Sequence, residues 1–321
     1  MKKLIIAFRF ILATSAAATA YAGNGADNVL YIKSSKLASP LVERWITEYA
    51  KVNPAVQFRL ADQSVTPDNV SLSLVLSGKN TGENGAANAH TVYFGEYAIL
   101  PITAKESAAS QELSKKKLNG KRLKELFFEK NILSEDAGDA EPQQPFTVYS
   151  GSGKTSLSEA FASWFGYTPS SLRGKHISGD DIFLNTAISK DRTGVSFNAL
   201  SNIFDVKSRK LKENITILPL DVKKEFAASL SEAATVDDAI RLLETENIDL
   251  VPTGKIGFAC RSGEAAVHDF LVWVLTRGKA FNHEYGILNL NERTLAAQIE
   301  QVRKGDTASS SLLTKLISDI Q

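Results

Sequence analysis

The stretch Val148-Tyr149-Ser150-Gly151-Ser152-Gly153-Lys154-Thr155-Ser156-Leu157-Ser158-Glu159 constrains the fold of this chain more than any other. It starts on a short β-prone run, passes through Gly and Ser, and enters a helix whose apolar face is Leu157, Phe161, Trp164 and Phe165. Ser156 and Glu159 have the spacing of a capping box, which places the helix start at Ser156. The first amides of a helix lack intrahelical partners, and the helix dipole adds partial positive charge there. Glycines let a ligand approach the backbone closely. A strand–loop–helix junction of this kind suits an anion, and an ordinary glycine-rich turn with a good cap is the plain alternative.

The same alternation runs along the whole chain. Strands are expected at Asn28–Ile32, Val56–Leu60, Val70–Leu76, Thr91–Pro101, Gly194–Phe197, Ile215–Leu218 and Ile256–Ala259. Between them lie helical patterns. Ser39-Pro40 opens one as N-cap and first helical residue, with Leu41, Val42, Trp45, Ile46 and Tyr49 on its apolar face. Others read as a helix–turn–helix around Asn119-Gly120, a helix opened by Asp180-Asp181, and helices at Val236–Thr245, Val267–Leu275, Leu295–Val302 and Leu312–Ile320. Pro101 marks a crossing between two lobes, and a return falls near Pro252. Strands alternating with helices imply an α/β class with largely parallel sheets.

The first residues have the pattern of a cleavable export signal. Lys2 and Lys3 precede an apolar run to Ala20, and Ala20-Tyr21-Ala22 supplies the small residues of a cleavage site. Export of this kind places the mature chain in the periplasm. Removing Lys2, Lys3 and Arg9 leaves 34 basic against 36 acidic residues, a net charge of −2. That balance argues against nucleic acid or an anionic membrane as the main partner. Cys260 is the one cysteine, so no intrachain disulfide forms and the core must carry the stability. A chain of 321 residues with 43% hydrophobic content suits two lobes better than one core. The expected organisation is a signal peptide over 1–22, a first lobe over 23–103 and 250–321, and a second lobe over 104–249.

In this setting the chain resembles the phosphate-binding periplasmic proteins of ABC transporters, a group of type II solute-binding proteins. Four stretches carry the likeness: Ser34-Ser-Lys-Leu-Ala-Ser-Pro-Leu-Val-Glu-Arg-Trp45; Tyr97-Ala-Ile-Leu-Pro101 with Leu118-Asn-Gly-Lys-Arg-Leu-Lys-Glu-Leu-Phe127; Gly151-Ser-Gly-Lys-Thr155; and Phe270-Leu-Val-Trp-Val-Leu-Thr-Arg-Gly278 with Phe281 and Gly286. The resemblance implies a two-lobed type II binding-protein fold, each lobe a mostly parallel sheet flanked by helices, the lobes joined by two crossing strands. It implies a non-catalytic monomer that captures a small oxyanion, phosphate first, and delivers it to an inner-membrane ABC permease. No cofactor and no metal are implied. The ligand contacts it implies are Ser35, Lys36, Leu37 and Ser77 in the first lobe, and Ser152, Gly153, Lys154 and Thr155 in the second.

Two departures bear on specificity. Val148 stands where many members carry an Arg that pairs with the anion. Gly78-Lys79 follows Ser77 with no Asp beside the serine, where the family has a carboxylate that accepts a proton from hydrogen phosphate. Lys36 and Lys154 can replace positive charge, as point charges rather than forks. These departures keep a second reading open: a relative with a degenerate cleft, acting as a signalling or structural protein through a protein partner.

Other chemistries find less support. A P-loop needs a Gly where Val148 stands. Ser152 lacks the G-x-S-x-G of a serine hydrolase, because Ser150 occupies the first glycine position, and no nucleophile–base pair is visible. His90, His176, His268 and His283 are scattered and show no metal spacing. Trp45, Trp164 and Trp273 lie on apolar helical faces and are expected in the core. Cys260 reads as an inert buried thiol.

Overall fold

The computed structural model describes residues 29–78, 90–129, 145–153, 157–260 and 264–304. In chain order they form β1 (Val29–Lys33), α1 (Ser39–Val52), β2 (Gln57–Leu60), β3 (Val70–Ser77), β4 (His90–Ala104), α2 (Ala108–Leu113), α3 (Gly120–Phe127), β5 (Thr147–Gly151), α4 (Leu157–Trp164), β6 (Lys175–Ile177), α5 (Ile182–Lys190), β7 (Gly194–Ala199), α6 (Leu200–Ile203), β8 (Ile215–Ile217), α7 (Lys224–Ala227), α8 (Val236–Thr245), β9 (Thr253–Cys260) and α9 (Ala265–Thr276). A helix over 292–304 follows. The expected signal peptide, the final helix at 312–320, and Lys154, Thr155 and Ser156 of the glycine loop lie outside the described residues.

The strands join into one sheet in the order β2-β1-β3-β9-β4-β7-β5-β6, with β8 pairing β4. Both flanks are parallel: β1 pairs β2 and β3, and β5 pairs β6 and β7. The centre is antiparallel, because β9 and β4 run against their neighbours. The pairing is therefore mixed, with the expected parallel character confined to the flanks.

β4 carries the chain from one half of the sheet to the other. Residues His90 to Ala98 pair with β9, and Ile99 to Thr103 pair with β7. The change of partner falls between Ala98 and Ile99, ahead of the expected Pro101. Pro101 sits inside β4 opposite Phe197, and its carbonyl accepts from the Leu218 amide at 2.9 Å. The return lies beside the crossing, where the Ile99 amide donates to Pro252 O at 2.8 Å. Space is tight there. A Cβ on Gly254 would stand 2.4 Å from both Ser77 O and the Tyr97 hydroxyl, so only glycine fits. The Tyr97 hydroxyl donates to Ser77 O at 3.3 Å.

Each half has its own aromatic cluster. Around β1, β3 and β9, Trp45 meets Phe94 edge-on at 4.7 Å, and Phe58 stacks on Phe270 at 4.3 Å. Around β5 and β7, Phe161 stacks on Phe197 at 3.8 Å and Phe127 meets Phe161 at 5.0 Å. α1 presents Leu41, Val42, Trp45 and Tyr49 to the core, as its 3.6-residue spacing requires. It begins at Ser39, with Ala38 in the cap position. The Ser39 hydroxyl donates back to Ser35 O at 2.9 Å instead of capping, since Ser35 O already gathers the amides of Ala38 and Ser39. Among the expected core tryptophans, Trp45 is fully buried, whereas Trp164 and Trp273 are half-buried.

Arg209 ties the second half to the segment after α9. It forks onto Asp237 of α8, with Nε–Oδ2 at 3.0 Å, and also donates to His283 O at 2.8 Å and Glu284 O at 2.5 Å. The bond from Arg209 holds the Asp237 carboxyl below the usual carboxylate range, against the opposing effect of burial. A carboxyl lowered on folding contributes stability above its unfolded pKa of about 3.9, which is lost as pH falls through the folded value. Asp237→Asn is therefore expected to flatten the acid limb of a urea-midpoint profile below about pH 4. The loss is of the order of 1 kcal/mol or less, because the pair is partly exposed to water. An acid limb of unchanged slope would contradict this.

Candidate functional site

The chain reaches the first candidate cluster straight from β1. Residues 34–38 form a turn in which Ser35 O accepts from Ala38 N at 3.0 Å and Ser39 N at 2.8 Å. This turn feeds α1, a fourteen-residue helix with Ala38 in its cap position. Ser35 keeps its Oγ buried and without a hydrogen bond among the described residues. Leu37 points into the core, while Lys36 is exposed. The Lys36 amide is in use: it donates to Asp180 Oδ1 at 3.1 Å, a residue 144 positions along the chain and on the other half of the sheet.

The second cluster ends β5. The Ser152 amide, expected to face an anion, donates to Ile177 O at 3.1 Å and so extends the β5–β6 pairing. The Ser152 hydroxyl lies 3.3 Å from Ile177 O and 3.4 Å from Ser178 Oγ. Gly153 runs beside the 178–181 loop, where a Cβ would stand 3.5 Å from Gly179 O. Inside the loop mouth, the Ser158 hydroxyl closes the strand end by donating to Gly151 O at 2.8 Å. The Leu157 amide opens α4 and donates to Asp181 Oδ2 at 2.8 Å in a buried setting.

Residues 178–181 are therefore the piece that joins the two clusters, and the sequence pattern placed Asp180 and Asp181 only at a helix start. In the structure α5 begins after them, at Ile182. Asp181 turns its carboxylate to α4 and Asp180 turns its own toward α1. Two neighbouring carboxylates thus occupy the Lys36 amide, in the turn that leads into α1, and the Leu157 amide at the start of α4. This suits the donors, which favour negative charge. Gly179, at φ +105°, makes the bend that aims Asp180, and a side chain there would also press on the Phe183 ring at 3.1 Å.

A buried amide network fixes Asp181. Asn198 Nδ2 donates to Asp181 O at 2.7 Å and to Asn185 Oδ1 at 3.1 Å, while its Oδ1 accepts from Ala199 N at 2.9 Å and Asn202 Nδ2 at 2.8 Å. Lys212 Nζ joins it through Asn202 O at 2.7 Å, and burial lowers the Lys212 pKa. Tyr97, on the crossing strand, has its hydroxyl pKa raised by burial, with the Asp181 charge adding to the effect.

Ser77 lies at the end of β3, away from these bonds. Its Oγ lies 3.4 Å from Gly78 O, and Gly78 packs on the flank of α4, where a Cβ would meet Ala160 Cα and Ser163 Oγ at 3.1 Å. The first half of the sheet therefore touches α4 directly. Val148, in the position where the resemblance offers an Arg, is buried in the core.

The structure also holds a pair that the sequence did not reveal. Ser150 Oγ and His176 Nδ1 lie 2.8 Å apart, in direct register across β5 and β6. Ser150 is completely buried, so this is a cross-strand bond rather than an exposed nucleophile. Cys260 is partly buried, and burial pushes its thiol up to about 12, which keeps it protonated and unreactive at neutral pH. Among the described residues no cluster of three or more His, Cys, Asp and Glu side chains has the form of a metal site, and no helix is long and apolar enough to cross a membrane.

No family model matches the chain, and no curated protein matches it. Solved structures do. A phosphate ABC transporter substrate-binding protein from Clostridium perfringens, solved with bound phosphate, is similar at 12% identity, over 82% of this chain and 100% of its own, with a TM-score of 0.57. An ABC-type phosphate transport receptor from Vibrio cholerae is similar at 10% identity, over 82% and 100%, with a TM-score of 0.51. The regulatory domain of MetR, a LysR family regulator from N. meningitidis, matches at 10% identity, over 82% and 99%, with a TM-score of 0.44. The chain has the two-lobed α/β fold of the phosphate ABC transporter substrate-binding proteins.

Proposed function

We propose that this chain is an exported binding protein that captures a small oxyanion between its lobes, phosphate first, and hands it to an inner-membrane permease. The observation that carries the reading is the Lys36 amide, which holds a carboxylate supplied by the opposite lobe. A carboxylate is itself an oxyanion, so the donor has the right chemistry and the right position for one. The buried Ser35 hydroxyl, one residue earlier, is a second donor of matching kind. Ser152, Gly153, Lys154 and Thr155 belong to the same proposed set from the second lobe. Ser77, at the edge of the lobe contact, completes it.

One observation favours a second reading. The Lys36, Ser152 and Leu157 amides all have acceptors within the chain. A relative whose cleft is closed on its own carboxylates would act through a protein partner instead. Titration calorimetry on the purified chain with phosphate, sulfate and related oxyanions separates the two. The expected result is measurable heat with phosphate, with binding about tenfold weaker in Ser35→Ala, the loss of one hydrogen bond to a charged ligand. Silence across the whole panel would sink the transport reading and leave the second.

A further inference from the structure

We infer that Asp180 is a tethered competing anion: its carboxylate latches the second lobe to the α1 entrance and must be displaced before an external oxyanion can use the Lys36 amide. This rests on the oxyanion reading above and concerns the regulation of that same site.

The loop that carries Asp180 is anchored on three sides. Asp181 is held at both ends, by Leu157 N on its carboxylate and by Asn198 Nδ2 on its carbonyl. The Ser152 amide holds Ile177 O, and Gly179 sets the bend at φ +105°. Asp180 itself is only partly buried, and its carboxylate has one described hydrogen bond, to Lys36 N. A charged acceptor on a backbone amide is stronger than a neutral one, and the tether gives it a high local concentration. A second anion at that amide meets both the occupied donor and a repelling charge. The loop is thus built to hold Asp181 permanently and to leave Asp180 displaceable.

Asp180→Asn keeps the shape and removes the charge. Two measurements on the full chain test the inference. In calorimetry with inorganic phosphate, Asp180→Asn is expected to bind about tenfold more tightly than the unaltered chain, the difference between a charged and a neutral competitor. In small-angle X-ray scattering without added anion, the same variant is expected to have a larger radius of gyration, which shrinks when phosphate is added. Equal affinities overturn the latch. So does weaker binding by the variant, which makes Asp180 part of the ligand's own shell. If neither protein binds any oxyanion, the function proposed above fails. The scattering then decides the latch alone, with an unchanged radius overturning it and an expanded one supporting it.

Discussion

Asn198→Ala is expected to cost about 3–5 kcal/mol of folding stability, a large share of the 5–15 kcal/mol typical of a whole domain. Asn198 is fully buried and serves four partners: Asp181 O, Asn185 Oδ1, Ala199 N and Asn202 Nδ2. Removing it leaves each with less than its complement in a place water reaches poorly. Every orphaned group costs roughly 1–3 kcal/mol, and the sum is discounted because the losses share one relaxation. The effect should also reach the site. Asp181 loses the bond on its carbonyl, so its hold on the Leu157 amide loosens. Urea unfolding gives the stability change, and hydrogen exchange at Leu157 reports the helix start. A loss below about 1 kcal/mol, with Leu157 protection intact, would mean that the network is dispensable.

Trp45→Ala is expected to cost a similar amount, about 3–5 kcal/mol, for a different reason: it empties a packed volume. Trp45 is completely buried, edge-on to Phe94 at 4.7 Å and to Phe258 at 6.3 Å. Its Nε1 donates to Gly278 O at 2.8 Å, and that glycine comes so close that an added Cβ would stand 3.1 Å from Nε1. Trp45→Phe keeps part of the aromatic contact and loses the bond, so it should cost less than half as much. Since Trp45 seats α1, its loss should also blur the turn at Ser35–Lys36. Equal midpoints for Trp45→Ala and the unaltered chain in urea would refute the packing argument.

The elements that were legible from sequence are those whose pattern is local. α1 shows its buried face at 3.6-residue spacing, and β7, whose Gly194-Val-Ser-Phe197 reads as a strand, is buried along its whole length. β6 leaves no alternation to read, because Lys175-His176-Ile177 is a short edge with little burial. Pro101 reads as a crossing point, yet the change of partner falls between Ala98 and Ile99. In β4 the missing N–H does no harm, since the carbonyl of Pro101 is the group that bonds Leu218. Ser39-Pro40 has cap chemistry and points to a helix from Pro40, whereas α1 begins at Ser39, with Ser35 O accepting from the Ala38 and Ser39 amides.

The site divides along the same line. Ser35, Lys36, Ser152 and Gly153 could be named from strand–turn–helix chemistry and from the resemblance. Asp180 could not, since its role depends on an amide 144 residues away. The same holds for the Ser150–His176 pair, which exists only because β5 and β6 are in register.

Alternating strands and helices and the helix starts rich in Ser and Gly follow from residue order, because short-range sterics and hydrogen bonding act between near neighbours, and a single cysteine by itself rules out an intrachain disulfide. The starts of α2, α3 and α8 are capped by their own Ser107, Asn119 and Thr235, whereas the partners of the Lys36 and Leu157 amides were decided by packing. Bringing Asp180 to Lys36 and Asp181 to Leu157 requires the sheet to be assembled and the Asn198 network to be buried, and no local pattern encodes a contact whose cost is closing a loop of that length.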